Sequence, residues 1–360
     1  MVSASPLGSA APQAVFPRAS FLPEGAAVLK RATSRIVLCV GLLLSLAFVS
    51  LQARSARAEV TTIKLGHIGF PGSLFDIVAQ EYARRVNLEL KGRYEVKVFH
   101  SSQLGSDEQM MKGIKLGAPE MFEPSTVMST VEPKFGVFEM PYLITSRAQM
   151  KKVAENPEVQ KALFDGLPAK GMRVLGVWEN GFRHITNSVR PIVRPEDLKG
   201  VKLRVPGGAW RVNMFKAYGA NPAPMPFAEV YSALQSGVMD GQENPFAQIA
   251  SAKLQEVQKF LSLTGHVYSP AYLIVSEDFW QKVPKDAQAV LSKIARELGD
   301  YARSQGEALD RDLMAKLAPP LKVNEVNKAA FIQASASTYQ QFGREVPGGA
   351  DLVKLIQGMR

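Results

Sequence analysis

Four side chains of types that suit carboxylate binding occur at the ends of predicted strands and in turns. Arg204 lies in KLRVP, Arg183 in GFRHITN, Asn244 in MDGQENP and Phe227 in NPAPMPF. Arginine offers a planar fork of donors that matches a carboxylate and keeps its charge at every working pH, and asparagine offers both a donor and an acceptor. Phenylalanine can cover the apolar face of a ligand and exclude water. Taken singly, each residue also fits a structural ion pair, a turn position or a place in the core.

The segment around Arg204 shows why these alternatives stay open. Residues 201–205 alternate apolar and basic side chains, which is the period of a half-buried strand, so Arg204 could simply face water. The pattern ends at a proline, passes two glycines and meets Trp210, and an arginine beside such a turn can also form an anion site. Trp210 could stack on a ligand or begin a helix against the core. Glu179 and Glu123 could bind ligand hydroxyl groups or be solvated or capping carboxylates.

The elements that must position these residues alternate between strand and helix patterns. Such alternation predicts an α/β fold with a largely parallel sheet, in which ligands bind beyond the carboxyl ends of the strands. We expect strands at 61–67, 94–100, 173–178, 182–186, 201–205 and 272–276, at best an edge segment at 223–226, and helices at 73–90, 106–116, 210–218 and 228–234. Ser73 and Ser106 are the predicted N-caps of the first two helices.

One helical pattern is unusually long. From Pro284 to about Leu317 apolar residues recur at steps of three and four. At 1.5 Å per residue, roughly 33 residues give a helix about 50 Å long. That exceeds one small domain, so the pattern predicts a helix that crosses between two domains.

Residues 1–58 are predicted to be a leader. Basic residues precede an apolar run at 36–51, and Ala56-Arg57-Ala58 fits the small-x-small cleavage pattern of a signal peptide. We expect export to the periplasm, cleavage after Ala58 and a translation start nearer Val28, with an uncleaved anchor as the alternative. The only cysteine, Cys39, lies in this run. The mature chain would then have no disulfide, thiol nucleophile or cysteine metal site.

Composition and motifs favour a binding protein over an enzyme or a nucleic-acid-binding protein. The chain has 360 residues, 46% of them hydrophobic, and a net charge of +10 that halves without the leader. Lys and Arg are dispersed, which argues against nucleic-acid binding. The sequence has no dinucleotide, Walker or nucleophile-elbow motif, and its four histidines show no metal spacing. We expect no catalytic residue, cofactor or metal; an enzyme that uses Glu179 and His184 on an organic acid is the less favoured alternative.

Several motifs occur in an order that resembles one transport family. From about Lys64 to Tyr339 the chain resembles the solute-binding proteins of tripartite ATP-independent periplasmic (TRAP) transporters, of the C4-dicarboxylate type. The motifs are IKLGH, SSQLGSDEQMMKGIKLGAPEM, FGVFEMPYLI, KGMRVLGVWENGFRHITNSVRPI, PEDLKGVKLRVP, YGANPAPMPFAEVYSALQSGVMDGQENP and LTGHVYSPAYLIVS. Their number and order make the resemblance specific.

The resemblance implies a role for each of the four side chains named first. It implies that Arg204 forms a salt bridge with the ligand carboxylate and that Arg183 supports the same carboxylate or its neighbours. Asn244 would take the third place around it, and Phe227 would pack on the ligand. Glu179 and Trp210 remain further candidates for ligand contact.

The resemblance also implies a two-domain periplasmic binding protein fold, with a cleft between two α/β domains and a long helix that spans both. With crossovers near residues 181 and 268, we expect domain I at 59–181 plus 270–309 and domain II at 182–269 plus 310–360. Such a protein would capture a small organic acid and deliver it to a small and a large membrane permease subunit, driven by an ion gradient. A binding protein for an ATP-driven importer or for a sensor is the alternative.

The sequence leaves the identity of the organic acid open. A second arginine in the cleft, beyond Arg183, would favour a dicarboxylate. Glutamate or asparagine partners would favour a sugar acid. Apolar lining from Phe70 and Phe75 would favour a keto or aromatic acid.

Overall fold

The computed structural model describes residues 60–360, so the predictions about the leader, its cleavage after Ala58 and Cys39 lie outside the described residues. None of the helices in 60–360 is long and apolar enough to cross a membrane. The strands of this part are β1 Thr61–Gly66, β2 Tyr94–Phe99, β3 Met121–Phe122, β4 Met172–Phe182, β5 His184–Asn187, β6 Lys202–Val205, β7 Asn221–Pro224, β8 Gly241–Asn244, β9 Phe260–Ser262, β10 Tyr268–Ser276 and β11 Lys322–Asn324.

The strands form two sheets, and both are mixed. The first sheet has the order β2-β1-β3-β10-β4, and the second has the order β11-β9-β5-β8-β6-β7. In the first, β10 runs antiparallel to β3 and β4; in the second, β5 runs antiparallel to β8 and β9. The α/β class is confirmed, and each sheet is largely parallel with one reversed strand, β10 in the first and β5 in the second. β10 is reversed because β4 leads out of the first sheet and β10 leads back into it.

The chain passes from one sheet to the other through strands that are almost continuous. Only Arg183 separates β4 from β5. On the return, β10 begins at Tyr268, which pairs with Phe182 at the end of β4. The two connections therefore lie side by side.

The helices are α1 Leu74–Glu89, α2 Asp107–Ile114, α3 Arg147–Glu155, α4 Pro157–Phe164, α5 Ala209–Ala217, α6 Val230–Gln235, α7 Phe246–Ser251, α8 Glu277–Lys282, α9 Lys285–Leu317, α10 Lys328–Ala334, α11 Ala336–Glu345 and α12 Gly349–Gln357. The predicted N-caps are present. Ser73 accepts a hydrogen bond from the Asp76 amide, and Ser106 forms a reciprocal capping box with Gln109, which satisfies amides that a helix start leaves free.

The long predicted helix is α9, which has 33 residues. It packs on α1 and β4 beside the first sheet and on α7 beside the second. Its apolar stripe, which includes Leu291, Ile294 and Leu298, lies in the same buried cluster as Ile63 and Trp178 of the first sheet. The steps of three and four in the sequence thus correspond to one buried face.

The last two helices pack on the segment at residues 133–150. Gln149 donates from Nε2 to the carbonyl oxygen of Ile356 at 3.2 Å, and the Tyr339 hydroxyl donates to the carbonyl oxygen of Pro141 at 2.7 Å. Leu352 and Ile356 share a buried cluster with residues of that segment. The C-terminal residues therefore contact a part of the chain that the sequence analysis assigned to the other domain.

Candidate functional site

A small cavity lies beyond the carboxyl ends of strands from both sheets. Its lining residues are Ile68, Phe75, Asp107, Ser125, Thr126, Val127, Asn180, Arg183, Arg204, Pro206, Phe227, Asn244 and Gln248. Four of the six predicted ligand-binding residues, namely Arg204, Arg183, Asn244 and Phe227, therefore lie around one space. This is the position that an open α/β sheet favours for a ligand.

Arg204 enters the cavity as a buried cation. It lies on β6, which pairs with β7 and with β8. Its Nε and Nη2 both donate to the Met225 carbonyl oxygen, at 2.9 and 2.6 Å, and Nη1 donates to no group among residues 60–360. Within the same residues no carboxylate lies within salt-bridge distance of this side chain. Burial and the neighbouring Arg183 cation together lower the pKa of Arg204 to about 10, so the group stays charged near neutral pH.

Arg183 is held by two side chains of the strand β8, Glu243 and Asn244. Its Nε and Nη2 donate to the two carboxylate oxygens of Glu243 at 2.5 and 2.8 Å, and Nη2 also donates to Asn244 Oδ1 at 3.0 Å. Asn244 in turn donates from Nδ2 to Gln242 Oε1 at 2.6 Å. One amino group of Arg183, Nη1, has no partner among the described residues. Arg183 and Arg204 thus each keep one amino group for another acceptor.

Glu243 joins Arg183 to a buried ionic network that the sequence analysis missed. Arg211 on α5 donates from Nη1 to Glu243 at 2.5 Å and from Nε to Glu139 at 2.8 Å, and His266 Nε2 lies 3.0 Å from Glu243. Burial alone would raise the pKa of Glu243, but the cations Arg183 and Arg211 hold it well below its usual value.

The charges in this network cancel. Arg183 and Arg211 are matched by Glu139 and Glu243, which leaves Arg204 without a salt-bridge partner among the described residues. The carboxyl of Asp107 in the cavity lining offsets the charge of Arg204 only in part. The one sequence signal was the position of Glu243 directly before the candidate residue Asn244. The structure shows that β8 is buried along its whole length, and a buried charge needs a partner. Nothing in the sequence pattern indicated Glu139 or Arg211.

Phe227 forms an aromatic wall. Its ring lies 5.7 Å from the Arg204 guanidinium carbon and 5.9 Å from the ring of Phe70 in an edge-on arrangement. It also packs with Val230 and Leu234 in a buried cluster. Phe227 therefore packs in the core and also lines the cavity. The sequence had left these two positions open as alternatives.

Glu179 and Trp210 do not line this cavity. Glu179 accepts from Arg147 Nε and Nη2 at 2.9 and 2.6 Å and from the Tyr268 hydroxyl at 2.8 Å, so both of its oxygens are occupied. Trp210 begins α5 against the core, with its ring 5.1 Å from that of Phe342. Both residue types were suitable for ligand contact, but tertiary partners engage both side chains.

A larger cavity of about 900 Å³ lies elsewhere, lined by residues such as Tyr142, Phe182, His184, Lys328 and Arg360. His184 stacks on Phe246 with ring centroids 4.4 Å apart, and burial lowers the pKa of His184 to about 3. Lys328 and Arg360 are exposed. The smaller cavity is the better candidate because its charged groups are buried and converge. Glu179 lines neither cavity, so Glu179 and His184 do not share one.

Within residues 60–360 no group of three or more His, Cys, Asp or Glu side chains is arranged to hold a metal ion. The polar side chains at the small cavity are two guanidinium groups, three amides, two hydroxyls and one carboxyl, that of Asp107. Guanidinium and amide donors suit an anion.

Comparisons with known proteins agree with the geometry. Residues 65–345 match the family described as "Bacterial extracellular solute-binding protein, family 7". The 2,3-diketo-L-gulonate-binding periplasmic protein YiaO of Escherichia coli K12 is 33% identical over 315 residues, which cover 85% of this chain and 92% of that protein.

Two solved structures of TRAP periplasmic solute-binding proteins share the fold. The protein from Sulfurospirillum deleyianum, with bound succinate, is 35% identical with a TM-score of 0.79, over 83% of this chain and 99% of that chain. The protein from Haemophilus influenzae, with bound L-gulonate, is 31% identical with a TM-score of 0.79, over 83% and 100%. The chain therefore belongs to family 7 of the bacterial extracellular solute-binding proteins, the solute-binding proteins of TRAP transporters.

Proposed function

We propose that this chain is the extracytoplasmic solute-binding component of a TRAP transporter and that it captures a small organic acid through its carboxylate. The observation that supports this most directly is Arg204, a buried cation with no carboxylate partner among the described residues. A charge out of water without a counter-ion costs several kcal/mol. A ligand carboxylate would supply the missing charge.

The groups around Arg204 define how such a carboxylate would be held. The free Nη1 of Arg204 and the free Nη1 of Arg183 offer two charge-assisted donors, and Asn244 lies beside them in the cavity lining. Phe227 would cover the carbon skeleton next to the carboxylate. In this proposal Glu179 and Trp210 act only indirectly, by holding the surrounding structure.

The ligand would be enclosed by closure of two domains. We propose that these are the predicted ones, 59–181 plus 270–309 and 182–269 plus 310–360, except that α12 moves with the first because it packs on residues 133–150. The domains would move about the paired connections at Arg183 and Tyr268. Gly181 lies directly before Arg183 with a φ of +121°, a conformation that only glycine adopts readily. A Cβ there would lie 3.3 Å from Pro245, so this position also leaves little room for a side chain.

Location and partners follow from the family. Members are extracytoplasmic, ligand-binding transport proteins, and we infer the same for this chain, with export by a signal peptide cleaved after Ala58. We further infer that the loaded protein delivers its acid to a small and a large membrane subunit. No turnover of the acid is expected.

The test is calorimetric titration of residues 59–360 with succinate, L-gulonate, pyruvate and benzoate. We expect at least one to bind and Arg204→Ala to weaken that binding by about 3–5 kcal/mol, which is at least 100-fold. Arg204→Lys should also fail, because lysine keeps the charge but lacks the planar fork. Lys202→Ala, on the exposed face of the same strand, is the matched control and should bind normally. Binding that persists in Arg204→Ala would mean that this arginine is only structural.

A further inference from the structure

The cavity lining also carries hydrogen-bond acceptors, and these acceptors bear on the class of acid. Asn180 at the end region of β4 lines the cavity. Its Nδ2 lies 3.3 Å from Ser125 Oγ, and the Ser125 hydroxyl donates its only proton to the Pro270 carbonyl oxygen at 2.7 Å. Ser125 can therefore only accept from Asn180, which fixes the amide orientation. The Asn180 Oδ1 atom is left buried and without a partner among the described residues.

Two more acceptors lie on the same lining. Gln248 on α7 also has a buried side-chain oxygen, Oε1, that accepts no hydrogen bond from residues 60–360. Asp107, the first residue of α2, contributes a carboxyl group that makes no side-chain hydrogen bond with those residues. Burial raises the pKa of Asp107 to about 7, with a further contribution from Glu108 and an opposing one from Arg204. The carboxyl is therefore only partly charged near neutral pH and accepts in either form.

A second pair of unpartnered groups lies near the cavity. His67 follows β1 directly, and neither of its ring nitrogens has a partner in the described part of the chain; the same holds for both carboxylate oxygens of Glu123, which follows β3. Both side chains are fully buried. The His67 ring lies 6.3 Å from the ring of Phe75, which lines the cavity.

The charge of this region disfavours a second carboxylate. Arg183 and Arg204 are the only Lys or Arg residues in the cavity lining, and the proposed function assigns both to the first carboxylate. The lining also includes the carboxyl of Asp107, which interacts with the charge of Arg204, and Asp76 lies 3.8 Å from His67. A dicarboxylate would place its second charge against these acceptors, whereas hydroxyl groups would donate to them.

We propose that Asn180, Gln248 and Asp107 form a hydroxyl-binding subsite, and that the ligand of this protein is a hydroxylated monocarboxylic acid. This inference rests on the proposed function, because it assumes that Arg204 and Arg183 hold the carboxylate. The apolar side chains Ile68, Phe75 and Phe227 would then cover the C–H faces of the carbon chain. An ammonium group is less suitable than a hydroxyl, because two of the three acceptors are neutral amide oxygens and two guanidinium cations lie close by.

The test uses four acids with four carbons each, so that the chain length is constant and the substituents on it differ. These are D-erythronate with hydroxyl groups, succinate with a second carboxylate, 4-aminobutyrate with an ammonium group and butyrate with none. We expect residues 59–360 to bind D-erythronate at least tenfold more tightly than the other three. Tighter binding of succinate, 4-aminobutyrate or butyrate, or no binding of D-erythronate at millimolar concentration, would overturn the proposal.

Variants separate this inference from the proposed function. Asn180→Ala should weaken D-erythronate binding at least tenfold and change butyrate binding less than threefold, while Arg204→Ala should remove both. Gln333→Ala, an exposed glutamine on α10, is the matched control and should change neither. A ligand-free melting temperature close to that of the parent shows that the Asn180 variant folds. If succinate binds best and only Arg204→Ala abolishes binding, the carboxylate clamp stands and the hydroxyl subsite is refuted.

Discussion

The buried pair of Arg211 and Glu139 offers a quantitative test of the ionic network behind the cavity. Arg211 is fully buried and contacts Glu139 and Glu243, while Glu139 is almost fully buried. Arg211→Met removes the cation between two carboxylates. Because uncompensated buried charge is expensive, we expect a loss of about 3–5 kcal/mol in the free energy of unfolding.

The partner variant makes this a double-mutant cycle. Glu139→Met leaves Arg211 with Glu243 as its only carboxylate and should also destabilise the protein. In the double variant neither charge is left unmatched at this contact, so its loss should be smaller than the sum of the single losses by about 1–3 kcal/mol, the range for residues in one network. Urea unfolding followed by circular dichroism, on ligand-free protein, measures all four corners.

A surface pair provides the comparison. Lys151 and Asp300 lie 2.8 Å apart with roughly half of each side chain exposed, and such pairs contribute only about 0–1 kcal/mol. Their cycle should therefore show little coupling. If the Arg211–Glu139 cycle is additive within about 0.5 kcal/mol, the two side chains do not stabilise each other, and the explanation of the charge balance given above is refuted.

Two further predictions concern single positions. Gly306→Ala in α9 should lower the melting temperature, because the new Cβ would lie 2.3 Å from Glu179 Oε1. Gly343→Ala in α11 should raise the melting temperature: the nearest atom is Ala350 Cβ at 3.4 Å, and the helix propensity of alanine stabilises the folded state by up to about 1 kcal/mol. Equal shifts in the two variants would contradict this. Asp107→Asn should stabilise the ligand-free protein at pH 8 more than at pH 4. Since the folded pKa of Asp107, about 7, lies above its unfolded value, the ionisable carboxyl costs stability that grows as pH rises between those two values. Denaturation curves at the two pH values check this, and a stability difference independent of pH would contradict it.

The sequence was sufficient for elements whose pattern is local. The alternation in residues 201–205 predicted β6, and the stripe of apolar residues after Pro284 predicted α9 to within a residue at its start. Ser73 and Ser106 were identified as N-caps because a cap depends only on the next three residues. These features need no information about distant parts of the chain.

Partner choice is where the sequence was insufficient. Glu179 is engaged by Arg147 and Tyr268, which lie 32 and 89 positions away, and no local pattern links them. For the same reason Glu139, Arg211 and Glu243 gave no joint signal. The residue type of a buried carboxylate shows that it needs a partner, but only the fold decides whether that partner belongs to the protein or to a ligand.

The same distinction applies to Arg204, whose partner in the proposed function is the carboxylate of the ligand. In the closure that we propose, the cavity around Arg204 is sealed from water, and burying this cation without an anion costs several kcal/mol. A bound carboxylate removes that cost. A shift of about 5.5 kcal/mol is enough to move a two-state equilibrium from 1:99 to 99:1, which is the scale of one buried ion pair. The network of Arg183, Arg211, Glu139 and Glu243 is already neutral, so it would contribute little to this switch. In this proposal the charge of Arg204, which Asp107 offsets only in part, couples closure to the presence of an acid.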